Sequence, residues 1–164
     1  MPAHPPADAA TDPRALLARG LEASHRGEYS ALQTLTAAQQ GFAVRGDATG
    51  VALCAAALMV TGQALVSYRG FRDHIAALAG LRDGSLTFDD LGEDLLAHAG
   101  LLAGLLMFAP SDPFCDRCAK RILALLELEL DVNLKFAAGR LMLYYTEPRK
   151  ARELGSGCTC CCSR

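Results

Sequence analysis

Apolar residues recur along this chain at helical intervals and almost nowhere alternate. The first such stretch opens at Asp12, an N-cap type of residue, with Pro13 at the first helical position, and carries Leu16, Leu17, Ala18 and Leu21 on one stripe before ending near Gly27. Tyr29, Leu32, Leu35, Ala38 and Phe42 follow at spacings of three, three, three and four, which predicts a second helix from about Glu28 to Arg45. Gly46 suits the left-handed end of that helix and Asp47 the N-cap of a third, running to about Tyr68, so the two should fold back on each other as an antiparallel pair. A shorter amphipathic segment, FRDHIAALAGL, places Phe71, Ile75, Leu78 and Leu81 on one side and stops at Asp83-Gly84-Ser85.

The second half reads in the same way. A fifth helix starts at Asp89 or Asp90 and passes through Leu95, Leu96, Leu102, Leu105 and Leu106 to Phe108, where Pro110-Ser111-Asp112-Pro113 closes it. A sixth spans Pro113 to about Leu130 with Ile122, Leu125, Leu126 and Leu130. Within it Glu127, Glu129 and Asp131 alternate with leucines, a pattern that also fits a short strand, and the helical reading is kept. Asp131 caps a seventh, LKFAAGRLMLYY, expected to end before Glu147-Pro148 because the residue preceding a proline avoids the helical region. The expectation is an all-α chain of about seven antiparallel helices. Residues 1–12 are expected to form a disordered lead, 13–154 the helical domain and 155–164 a flexible cysteine-rich tail.

Composition sharpens this picture. The 164 residues include 29 Ala and 27 Leu against 5 Val and 2 Ile, a balance that favours helices over strands. Ala55, Ala56, Ala57 and Gly62, then Ala97, Gly100, Ala103 and Gly104, and finally Ala137, Ala138 and Gly139 sit in the middle of apolar helices, where small side chains let backbones approach. Gly100-x-x-x-Gly104 therefore reads as a packing contact between helices. Helix pairs stacked in one direction make an α-solenoid and the same helices folded on themselves a compact bundle; the repeated antiparallel signals favour the solenoid.

Charge and hydropathy set limits on partners. With 16 Lys+Arg against 18 Asp+Glu the formal net charge is −2 and the positions are interspersed, so no footprint for a phosphate backbone exists and direct nucleic-acid binding is not expected. The clusters Arg117, Lys120, Arg121 and Arg149, Lys150, Arg152 read as solvated faces. Thr49 to Tyr68 is free of charge for twenty residues, but alanine dominates it and Thr49, Gly50, Thr61, Gly62, Gln63 and Ser67 dilute it, so a helix buried among others is preferred to a membrane span. A membrane-associated protein built on that segment stays as an alternative. The opening MPAHPPADAATDP has four prolines and no basic segment before an apolar run, so no signal peptide is read and a cytoplasmic location is expected.

The run Tyr29 to Tyr68, with the turn GFAVRGDATG and then VALCAAALMV, resembles a tetratricopeptide-type helix pair. More specifically it is similar to the helical repeat arm of large bacterial ATPase-type transcriptional regulators, the MalT-like family. In that family such a turn is Gly-Asp followed by a short linker and an alanine-rich helix, here Gly46, Asp47, Gly50 and the alanines beyond; LLAHAGLLAGLLMFAPSDP and DVNLKFAAGRLMLYY resemble consecutive repeat helices of the same arms. The resemblance covers residues 28 to 148. No G-x-x-x-x-G-K-[ST] loop and no basic recognition helix accompanies it. What it implies is a non-enzymatic segment that binds a protein partner or a small effector on its surface, and a terminal repeat face left uncovered would lead to self-association.

Chemistry-bearing side chains offer a different reading. Cys115-Asp-Arg-Cys118 stands at a helix start, where a thiolate is stabilised, and Cys158, Cys160, Cys161 and Cys162 crowd the C-terminus. Together these six could furnish a zinc or redox site, with Cys115 and Cys118 completed by two tail thiolates; against this, the βαβ setting of a thioredoxin-like motif is missing and adjacent tail side chains diverge. His4, His25, His74 and His98 form no metal-binding spacing. His98, between alanines on the fifth helix, reads as a buried hydrogen-bonded histidine before a ligand or switch. Asp89, Asp90, Glu93 and Asp94 suit a first turn complementing the helix dipole before an acidic site. No catalytic set assembles from these residues, so no enzymatic activity and no cofactor other than the alternative zinc is expected.

Overall fold

The structure, a computed structural model, describes residues 12–156, with side chains as far as residue 146. Within that range the chain forms α1 (Pro13–His25), α2 (Ser30–Val44), α3 (Ala48–Ala64), α4 (Phe71–Ala77), α5 (Gly80–Asp83), α6 (Leu91–Phe108), α7 (Phe114–Leu126) and α8 (Val132–Ser156), and no strand. The N-termini lie where short acidic side chains can accept from free backbone N–H groups. Asp12 accepts from Ala15 at 3.2 Å, Asp47 from Gly50 at 2.8 Å, Asp90 from Glu93 at 2.9 Å and Asp131 from Asn133 and Leu134 at 3.0 Å. Two C-termini close as anticipated: Gly27 and Gly46 are left-handed, and the N–H groups of Glu28 and Asp47 reach back to the carbonyls of Ala23 and Phe42.

Four boundaries differ from the sequence reading, each for a physical reason. The third helix stops at Ala64 instead of Tyr68, because the chain folds back over Gly62: the Ser67 N–H donates to the Gly62 carbonyl at 2.7 Å, and a Cβ on Gly62 would strike the Ser67 carbonyl and the Phe71 ring. The fourth element breaks at Leu78 and Ala79, since Ser85 and Leu86 pack onto the bare face of Gly80 and the Leu86 N–H takes its carbonyl at 3.1 Å. Residues 127–131 are neither helix nor strand but a linker, with Leu130 half-buried against the core and Asp131 committed to capping α8. Finally α8 starts at Val132 and continues through Pro148 to Ser156, past the expected stop and two residues into the expected tail. Proline removes one N–H donor, and the helix continues beyond it through Arg149, Lys150, Ala151, Arg152, Glu153 and Leu154, all good helix formers.

Helices α3 and α6 form the centre. Every residue from Ala52 to Gly62 is buried, as is nearly every one from Asp94 to Leu105, so both are apolar all round because other helices surround them. Helices α1, α2 and α4 pack on α3; α4, α7 and α8 pack on α6. The two central helices meet where side chains vanish. A Cβ on Gly100 would lie 2.6 Å from Ala56 Cβ and 2.7 Å from its carbonyl oxygen, and one on Gly104 would lie 2.7 Å from both Met59 Sδ and Ile75 Cγ1. The small-residue spacing is thus a packing contact, and residues 52–62 are core. Helix α6 alone among the described residues has the length and hydropathy to cross a bilayer, and 61% of it is buried inside the fold.

Candidate ligand cleft between the first and last helices

Helix α1 turns Leu17 and Leu21 inward, and α8 does the same with Leu134 and Ala137. Helix α1 packs chiefly on α2 and also touches α3, while α8 packs on α6 and α7, which leaves an open cleft between α1 and α8. At the end near Arg14 the cleft encloses about 520 Å³, walled by Leu17, Leu21 and Leu134 over a floor of Leu53 and Leu96. It continues, through the shared residues Leu21, His25, Leu96, Asn133 and Leu134, into a narrower space of about 210 Å³ that reaches Thr61, Ala64, Phe136 and Arg140. Thr61, buried in α3, donates to Ser24 Oγ of α1 at 2.8 Å and pins that wall.

The polar groups of the wide end are mostly acidic. Glu22, Asp90, Glu93 and Asp131 line it, with Arg14 as the one guanidinium. Arg14 reaches Glu93 at 3.1 Å, Glu22 pairs with Arg26 at 3.0 Å, and Asp90 and Asp131 are the caps of α6 and α8, whose N-termini converge here. Of the acidic run considered from sequence, Asp90 and Glu93 thus face the cleft. Asp94 points the other way into the α6–α7 interface, and Asp89 is exposed. The cleft itself was not anticipated, because its walls lie over a hundred residues apart. The only local signal is the apolar stripe of Leu16, Leu17 and Leu21 on α1 and the single Leu134 in the first turn of α8.

The other singled-out residues are placed as follows. Cys115 and Cys118 share one buried face in the first turns of α7, and burial, with the neighbouring Cys115 second, pushes the Cys118 thiol up to about 12. Cys54, enclosed in α3, is raised by burial to about 12 as well. A raised thiol is a poor nucleophile until deprotonated. Cys158, Cys160, Cys161 and Cys162 lie outside the described residues, and among the described residues no group of three His, Cys, Asp or Glu side chains is placed to hold a metal ion.

His98 is a hydrogen-bonded histidine, mostly buried. Its Nδ1 lies 2.9 Å from Asp94 Oδ1 and 3.0 Å from the Asp94 carbonyl, while Arg121 of α7 grips Asp94 Oδ2 through Nε at 2.8 Å and Nη2 at 2.6 Å. His25 lines the cleft; His74 lines a separate cavity of about 680 Å³ between α2 and α4, where burial lowers its pKa. His4 lies outside the described residues. No family model, no curated protein and no solved structure matches this chain.

Proposed function

We propose that this protein is a non-enzymatic binding domain that takes a small effector into the cleft between α1 and α8. The observation that supports this reading is the apolar trough itself: α1 and α8 stand apart over Leu17, Leu21, Leu96 and Leu134, around a volume in the range of small-ligand sites. Hydroxyls in the cleft bond to each other and its carboxylates cap helices or pair with arginines, an arrangement suited to holding a shape rather than turning over a substrate. The resemblance of residues 28 to 148 to the effector-binding arm of MalT-like regulators points in the same direction, and regulation through a helical arm belongs to the proposal.

Ala18 is exposed and lines the wide end, so Ala18→Trp fills the cleft without replacing a core side chain. A fragment library screened by protein-observed NMR against the wild-type chain should give shifts clustered on Leu21, Leu96 and Leu134, and Ala18→Trp should remove them. Hits that cluster elsewhere, or that survive the tryptophan, would refute the assignment.

A further inference from the structure

Helix α8 has two apolar faces, and the fold uses one of them. Ala138, Leu141 and Met142 are buried on the side that packs on α6 and α7, whereas Val132, Phe136 and Leu143 stand on the opposite side, 73%, 72% and 61% exposed. With Gly139 among them these residues fall at intervals of four, three and four, the spacing of a seam between two paired helices. A Cβ on Gly139 would meet nothing within 4 Å, so the middle of the seam is bare backbone facing open space. We infer that a second copy of this chain covers the seam, its α8 lying antiparallel to the first about a two-fold axis at Gly139.

Shape, area and charge each fit a second copy. The seam reads large, absent, large about Gly139, so a two-fold axis there sets Phe136 of each copy against Leu143 of the other, with the two glycines at the crossing; such a contact needs one self-complementary patch. Phe136 and Leu143 set the separation, and at the ordinary helix spacing of about 8–10 Å the crossing still has room for a methyl group. Together with Leu128 and the flanking Tyr144, the exposed side chains of the seam present on the order of 500 Å² per copy, so pairing buries about 1,000 Å² through them alone, the least a specific dimer needs.

Charge sets the direction. At about 1.5 Å per residue, Arg149, Lys150 and Arg152 lie about 15–20 Å beyond Gly139 along α8, and Val132 about 10 Å before it. In the antiparallel pair the basic end of each helix therefore passes Val132 of the other copy and comes level with the linker that holds Glu127 and Glu129. Both glutamates are exposed, and neither has an ion pair among the described residues. A parallel pair would set the three cations against their own equivalents. A lipid surface fits less well, because helices that lie on membranes carry cations along the face beside the apolar one. Beside this seam Lys135 is turned back to the Leu128 carbonyl at 2.9 Å, and Arg140 lines the narrow end of the cleft.

Sedimentation of the intact chain from micromolar to millimolar concentration, under reducing conditions that keep its thiols from linking copies, should show the mass pass from one chain to two. Phe136→Glu and Leu143→Glu should each weaken the pairing about a thousandfold, since a central contact is lost twice per dimer, with the circular dichroism unchanged. Val44→Glu, at the exposed end of α2, should pair as the wild type does. Carbodiimide cross-linking of mixed isotopically light and heavy chains should join Lys150 of one copy to Glu127 or Glu129 of the other. A one-chain mass at every concentration, or a dimer that survives both glutamates, would overturn the second copy. In the former case, sedimentation with phosphatidylglycerol vesicles that Phe136→Glu abolishes would make a lipid surface the occupant instead. Cross-links from Lys150 to Glu147 or Glu153 of the other copy would overturn the antiparallel arrangement.

Discussion

Gly100 lies so close to Ala56 that a methyl group on the glycine would fall 2.6 Å from the alanine's Cβ and 2.7 Å from its carbonyl oxygen. The obstruction is mostly backbone, which cannot rotate away, so relief requires α3 and α6 to separate along their whole length. Gly100→Ala should therefore destabilise the protein by about 3 kcal/mol, at the upper end of overpacking costs, lowering Tm by about 10 °C for a chain of this size. Gly139 supplies the contrast: it is also mid-helix, but a Cβ there meets nothing within 4 Å. Gly139→Ala should raise stability by about 0.5–1 kcal/mol through reduced unfolded-state freedom. Urea unfolding followed by circular dichroism checks both; an equal effect of the two alanines would mean that the central crossing is not where the structure has it.

Val66 occupies the left-handed region at φ 56, in the position that Gly27 and Gly46 hold at the ends of α1 and α2. The bonds are the same, from Val66 N–H to the Gln63 carbonyl and from Ser67 N–H to the Gly62 carbonyl, but a β-branched side chain there costs about 1–2 kcal/mol. With the side chain 74% exposed, little packing is lost on its removal. Val66→Gly should stabilise by about 0.5–1 kcal/mol after allowing for the greater freedom of glycine in the unfolded chain. A loss of stability in thermal unfolding would show that the turn is held by side-chain contacts instead of its backbone bonds.

These two sites also mark what was legible in the sequence. The caps Asp12, Asp47, Asp90 and Asp131 and the glycine ends at Gly27 and Gly46 depend on bonds spanning three to five residues, so the local pattern contains them. The end of α3 carries no glycine at the left-handed position. It is determined by Ser67 lying over Gly62, by Phe71 packing beneath, and by the Tyr29 hydroxyl reaching the Leu65 carbonyl from α2's start, none of which periodicity records. Small residues at 56 and 100 announced a close contact but not with whom. The cleft was further out of reach, since Leu17 and Leu134 become neighbours only after α3 and α6 have brought the two ends of the chain together.

The buried thiols carry a pH dependence with a definite sign. Cys54 and Cys118 are pushed from about 9 to about 12 in the folded chain. Below pH 9 both states keep the proton and the thiols have no effect. Between 9 and 12 the unfolded chain releases protons that the fold retains, so stability falls with rising pH, by up to about 1.4 kcal/mol per pH unit for each thiol. At pH 8 the folded protein should accordingly leave Cys54 and Cys118 unlabelled by iodoacetamide, with full labelling in urea, as read by mass spectrometry of their peptides. Rapid native labelling of Cys118 would instead point to an activated thiol at the start of α7.

Asp94 is 6% exposed and depends on Arg121 from the neighbouring helix for both bonds to Oδ2, while His98 holds the other oxygen. Removing a partner from a buried ion pair leaves a charge without compensation, which costs more than the pair itself contributes. Arg121 is 47% exposed, so water can enter where it stood and the cost is moderated. Arg121→Ala should destabilise by about 2 kcal/mol. Asp94→Asn in the same background should recover part of that loss, because the neutral amide no longer needs the guanidinium and retains a contact with His98. Asp94→Asn alone should cost less than Arg121→Ala, since the arginine it strands is half in water. The double-mutant cycle of these variants in urea measures the coupling directly. A coupling near zero would mean that α7 is held to α6 by Ile122, Leu125 and the buried cysteine face alone, with the ion pair only lying over that contact.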